Sequence, residues 1–93
     1  METKYLLERE YVDDRGLGIT CNCDSEVIDV FDNLEVALKE FNSYLNINAS
    51  KRYTEEEHPF HKTFNQLSVV KEVLNEYEEW KIEDWLKVAY FDK

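Results

Sequence analysis

Two close pairs of metal-ligand side chains constrain this chain more than anything else in it. Its only two cysteines stand one residue apart in Cys21-Asn22-Cys23, and its only two histidines form His58-Pro59-Phe60-His61. Scarce residue types rarely fall into two tight pairs by chance, so the spacing is a signal. Two thiolates and two imidazoles complete a tetrahedral zinc set, with sulfur at about 2.3 Å and nitrogen at about 2.0–2.1 Å. Four protein ligands leave no open position, which makes such a site structural rather than hydrolytic. The expectation is one Zn2+ held by Cys21, Cys23, His58 and His61. Alternatively, the cysteines are small core residues and the histidines lie in a solvated loop. A Cys21–Cys23 disulfide would close a strained ring. One thiol and one imidazole could also act as nucleophile and base, but doubled pairs fit metal binding better. No glycine-rich phosphate loop exists, since Gly16 and Gly18 are the only glycines, and no other catalytic arrangement stands out. The chain is read as a non-enzyme.

A chain of 93 residues makes one domain, 1–93. A domain this small buries a modest share of its surface, so a metal staple would help it. Hydrophobic residues make up 43%, and five Phe, six Tyr and two Trp supply bulky core candidates. That content suits a folded core rather than a disordered chain.

Period-two alternation predicts a strand over Tyr5–Val12, with Tyr5, Leu7 and Tyr11 on one face. Asp13-Asp14-Arg15-Gly16 reads as a turn. The return strand runs from about Leu17 into the cysteine pair, where a period of two puts Leu17, Ile19, Cys21 and Cys23 on one face. Val27–Phe31 is either a separate strand or its continuation after a bulge. A helix is expected over Asn33–Leu45, with Asp32 as cap, Glu35 completing a capping box, and Leu34, Ala37, Leu38, Phe41 and Leu45 as its apolar stripe. Asn46–Asn65 is polar and irregular, and a loop this long needs something to tie it down. Gln66–Glu79 fits both a strand, with Leu67, Val69, Val73 and Tyr77 on one face, and a helix; Trp85–Phe91 reads as a strand. The sum is an α+β domain: a small antiparallel sheet of two hairpins, one amphipathic helix between them, and a structural zinc staple.

The formal net charge is −10, from 21 acidic and 11 basic residues. Affinity for a phosphate backbone comes from Lys and Arg, so direct nucleic-acid binding is not expected. A strong acidic field favours cationic partners instead. Acid concentrates in Glu55-Glu56-Glu57 and again in Glu76, Glu78, Glu79, Glu83 and Asp84 around Tyr77 and Trp80. The bland account is a solvated face; the sharper one is a partner-binding surface anchored by the aromatics, with Trp80 among its residues. No stretch is long and apolar enough to span a membrane, and no secretory pattern opens the chain, so a reducing cytosol is expected.

In size, charge, Lys/Asn/Glu-rich composition and compact α+β pattern, the chain resembles the small acidic proteins that bacteriophages encode against host defence. Anti-CRISPR inhibitors of Cas9-type effectors are the nearest in character. The resemblance implies an inhibitor that acts in the host cytosol by occupying a basic effector surface that normally handles guide RNA or target DNA. The alternative function is a zinc-stabilised protein–protein interaction module with an unrelated cytosolic partner.

Overall fold

A computed structural model describes residues 2–14, 20–54 and 63–92, with backbone only for 13–14 and 20–23. The elements are β1 (Thr3–Asp14), β2 (Thr20–Phe31), α1 (Leu34–Asn48), β3 (Arg52–Tyr53), β4 (Thr63–Leu74) and β5 (Trp80–Phe91). The strands form one antiparallel sheet in the order β2-β1-β4-β5-β3. The α+β class and the sequence strands–helix–strands are as expected. The two hairpins do not stand apart, because β1 and β4 pair along eleven successive positions from Thr3↔Val73 to Asp13↔Thr63.

Directly opposed residues share a face of a sheet, so this register sorts the apolar residues into two sets. Leu7, Leu67, Val69 and Phe91 face α1 and bury against Ala37, Phe41 and Leu45. Leu6, Val12, Phe64 and Val70 are buried on the opposite face. The central strands are thus apolar on both sides, and Leu67-Ser68-Val69-Val70 is buried throughout. That pattern decides the strand reading of Gln66–Glu79: the ladder with β1 and β5 overrides the local helical propensity of Lys71-Glu72-Val73-Leu74. Tyr77 falls in the turn that follows.

Bulges let the outer strands serve both faces. In β2 the register slips beside Leu7/Glu8, leaving Ile28 as the extra residue between Val27 and Asp29. Ile28 and Phe31 therefore pack toward the helix, while Val27 and Val30 point away. The stretch Val27–Phe31 is the continuation of one strand, not a separate one. In β5 the extra residues are Glu83 and Leu86, and Leu86 reaches the core. Among the described residues β3 pairs with β5 at Tyr90 and Phe91, and the rest of β5 has no other neighbour on that side. Its charges (Lys81, Glu83, Asp84, Lys87) and bulges discourage edge-to-edge pairing.

Several boundaries depart from the sequence reading. Asp13 and Asp14 belong to β1, opposite Cys21 and Thr20, rather than to a turn. The helix cap is Asn33, not Asp32: Asn33 Oδ1 accepts from the N–H groups of Glu35 (2.8 Å) and Val36 (3.3 Å). With Asn33 as cap, Glu35 sits one position too early for a capping box. The helix continues to Asn48, where Asn48 Nδ2 donates to the Tyr44 carbonyl at 3.0 Å and the Ala49 N–H closes on Leu45 O. Asn46–Asn65 is accordingly not one long loop, since Arg52 and Tyr53 pair with β5 and Thr63–Asn65 begin β4. A carboxylate ties the chain down there: Asp92 accepts from the Ser50 and Lys51 backbone N–H groups (3.1 and 2.7 Å) and from Ser50 Oγ (2.6 Å).

Candidate partner-binding surface

The second acidic concentration named above gathers at one end of the molecule. β4 and β5 form a hairpin whose turn, 75–79, carries Glu76, Glu78 and Glu79, and whose return strand opens with Trp80 and continues to Glu83 and Asp84. Asn75 builds this turn. Its Oδ1 accepts from the Tyr77 and Glu79 N–H groups at 2.8 and 3.0 Å, and its own N–H donates to Glu79 O at 2.9 Å. Glu78 takes a left-handed backbone at φ 59°, a region that glycine occupies at less cost. Tyr77, between Glu76 and Glu78, is 76% exposed.

The acids here differ in their pairing. Glu79 lies 3.2 Å from Lys81 Nζ, and Glu83 accepts from Lys71 Nζ at 3.1 Å. That bond, with the charge of Glu83, holds the Lys71 ammonium above its ordinary pKa. Glu76 and Glu78 have no cation at ion-pair distance among the described residues. Trp80 is one-third exposed, with Lys4 Nζ 4.1 Å from its ring centroid. Asp84 lies opposite Lys71 in the ladder, on the helix side of the sheet. Glu55, Glu56 and Glu57 lie outside the described residues.

The expected zinc ligands are described only in part. Cys21 is in β2 opposite Asp13, and Asp13 is opposite Thr63 on β4. The described chain resumes at Thr63, two residues after His61, while His58 and His61 themselves lie outside it. The ladder runs Tyr11↔Asp24 and then Val12↔Asn22, so Cys23 is the extra residue of a second bulge in β2. A period of two does not carry across a bulge, so strand alternation does not put Cys21 and Cys23 on one face. Among the described residues, no group of three or more His, Cys, Asp or Glu could hold a metal ion.

Sequence reasoning missed a second polar site on the helix side of the sheet. Arg9 is directed by β1 into a cleft of about 560 Å³ beside Tyr11, Tyr44 and Asn48. Its Nε bonds Glu26 at 3.0 Å, its Nη2 bonds Asp24 at 2.6 Å, and its Nη1 donates to Asn65 Oδ1 at 3.0 Å. Burial alone would lower the guanidinium pKa, but the bonds to Glu26 and Asp24 outweigh it and hold it above the ordinary value. Burial also raises the Tyr44 phenol, which stays protonated at neutral pH. Two carboxylates against one guanidinium leave no positive charge for an anionic ligand, so this cluster is a clamp joining β1, β2 and β4. A lone arginine in an alternating strand gives no sign of such partners, which become visible only once register is known.

No family model, curated protein or solved structure matches the chain.

Proposed function

We propose that the protein is a docking module that engages a cationic protein surface through the acidic end of the β4–β5 hairpin and acts by occupancy. One observation carries this reading: a single turn presents Glu76 and Glu78, without cation partners among the described residues, on either side of an exposed Tyr77, next to Trp80. Carboxylates around exposed aromatics combine long-range attraction with an anchoring contact. The net charge of −10 supports a partner with a basic surface and disfavours direct contact with nucleic acid. A partner whose basic surface normally handles nucleic acid, such as a Cas9-type effector in a bacterial cytosol, fits this charge, and the resemblance to anti-CRISPR inhibitors motivates that choice. Among the described residues no helix is long and apolar enough to cross a membrane.

The test is capture of a Cas9-type effector by the immobilised protein at low and at high salt. Binding at low salt that weakens with salt is expected, because such attraction is screened over about 10 Å at 0.1 M. It should also weaken in the Glu76→Gln/Glu78→Gln variant. No capture at low salt overturns the effector assignment. Capture that ignores both salt and the variant overturns the hairpin surface itself.

We also propose that one structural Zn2+ joins Cys21 and Cys23 to His58 and His61. The register supports it: the cysteine stretch and the start of β4, two residues beyond His61, lie at the same end of the sheet. Such a link between distant segments contributes directly to folding.

A further inference from the structure

The face of the sheet turned away from α1 can be read row by row. Trp85, Val70, Leu6 and Val30 lie opposite one another across four strands. Ile82, Glu72 and Lys4 form the neighbouring row toward the hairpin end, and Val88, Ser68, Glu8 and Val27 the row on the other side. The two central strands supply a buried floor, with Val70 at 0% and Leu6 at 7% exposed. The flanking strands supply exposed apolar walls: Val27 and Val30 on β2, Ile82 and Trp85 on β5. Among the described residues no element packs over this trough, because α1 lies on the other face. Three strand spacings of about 4.8 Å make it about 14 Å wide, which matches the 10–12 Å diameter of one α-helix with its side chains.

Its charge selects the occupant. Glu8, Glu10 and Glu72 stand on this face, where Lys4, 4.0 Å from Glu72, is the one cation of the two central strands among the described residues; Arg9 and Lys71 are on the other face. Glu8 and Glu10 have no cation at ion-pair distance among the described residues. Burial, then the charges of Glu72 and Glu10, push the Glu8 carboxyl above its ordinary pKa. A second copy of the chain laid on this face would bring the same carboxylates together. A cationic helix with one apolar stripe would cover the walls and neutralise the floor at once.

We propose that this trough is a docking groove for a cationic amphipathic α-helix of the partner protein, held by its apolar stripe on the exposed Val27, Val30, Ile82 and Trp85 and by its Lys or Arg side chains over Glu8, Glu10 and Glu72. The proposal rests on the reading that the partner is cationic, and it specifies the element the partner presents. This is helix-in-groove recognition, read by anchors at i, i+3, i+4 and i+7.

The probes are three synthetic 18-residue peptides: an amphipathic Leu/Lys helix, its Leu/Glu counterpart, and a Leu/Lys scramble with no apolar stripe. Trp80 and Trp85, the only tryptophans in the chain, both stand on this face, so their emission reports directly. The Leu/Lys helix should shift that emission to shorter wavelength and gain helical circular dichroism on binding, while the other two peptides do neither. Glu8→Gln/Glu10→Gln/Glu72→Gln should weaken binding about tenfold, the scale of three half-exposed charge pairs at about 0.5 kcal/mol each. These substitutions relieve repulsion, so the variant should melt no lower than the parent. Trp85→Ala should weaken binding as well. Failure of the Leu/Lys helix to bind, equal binding of the scramble, or self-association that buries the tryptophans would each overturn the groove. Binding lost with Glu76→Gln/Glu78→Gln but unmoved by the groove variants refutes the groove and leaves the hairpin surface standing.

Discussion

Replacing Arg9 by Met separates a structural clamp from ordinary surface charge. Arg9 is 15% exposed, whereas its partners Asp24 and Glu26 are 61% and 52% exposed. Those two carboxylates regain water when the guanidinium goes, so each pair contributes no more than about 1 kcal/mol. Asn65 is different, because it is 3% exposed at the floor of the cleft and its Oδ1 loses the Arg9 donor. A buried acceptor stripped of its donor costs about 1–3 kcal/mol. Met fills much of the volume of the Arg stem, so the cavity cost is small. The sum is about 2–3 kcal/mol, which for a domain of this size lowers the melting midpoint by roughly 10–20 °C. Urea unfolding followed by tryptophan emission measures it. Arg9→Met/Asn65→Leu should recover about 1 kcal/mol, since the orphaned amide leaves with its donor. A loss below about 0.5 kcal/mol in Arg9→Met, or strict additivity in the double variant, would refute the claim that the buried amide matters most.

Three further outcomes follow from the same structure. The Glu8 carboxyl has a folded-state pKa above its ordinary 4.5, so the folded state binds its proton more tightly than the unfolded one. Its contribution is fully present below pH 4.5 and is lost as pH rises through the raised value; Glu8→Gln should flatten that part of the stability–pH profile and raise the midpoint at pH 7. Glu78→Gly should stabilise the fold by about 1 kcal/mol in urea melts, because glycine adopts the left-handed backbone without strain; a destabilised variant would contradict that account of the turn. Metal analysis should find one zinc per chain, and chelation should lower the melting midpoint by at least about 5 °C; a stoichiometry near zero ends the zinc proposal.

What the sequence made legible depended on whether one face of an element was wet. The α1 stripe of Ala37, Phe41 and Leu45 was readable because the other side of the helix meets solvent. β1 was readable despite Leu6 and Val12, because Glu8 and Glu10 kept the alternation visible. β4 was ambiguous for a physical reason: with Leu67 through Val70 buried on both faces, neither a period of two nor one of 3.6 shows. Bulges at Cys23, Ile28, Glu83 and Leu86 leave no mark in composition, yet they set which residues share a face. The acidic residues of 76–84 were picked out by charge alone, but the placing of Glu76, Glu78 and Glu79 on one hairpin turn, and the apolar trough beside them, required the register.

The claim on which the account turns is that cationic partners meet the hairpin end and its adjoining sheet face. Amide and indole N–H shifts, recorded while the uniformly labelled protein is titrated with the Leu/Lys helix at low salt, test it residue by residue. The account predicts shifts concentrated at Glu76–Trp80, Ile82, Trp85, Leu6 and Val30, with both indole signals moving and the exposed helix positions Val36 and Ile47 still. Shifts centred on α1, or none in either indole, would contradict it.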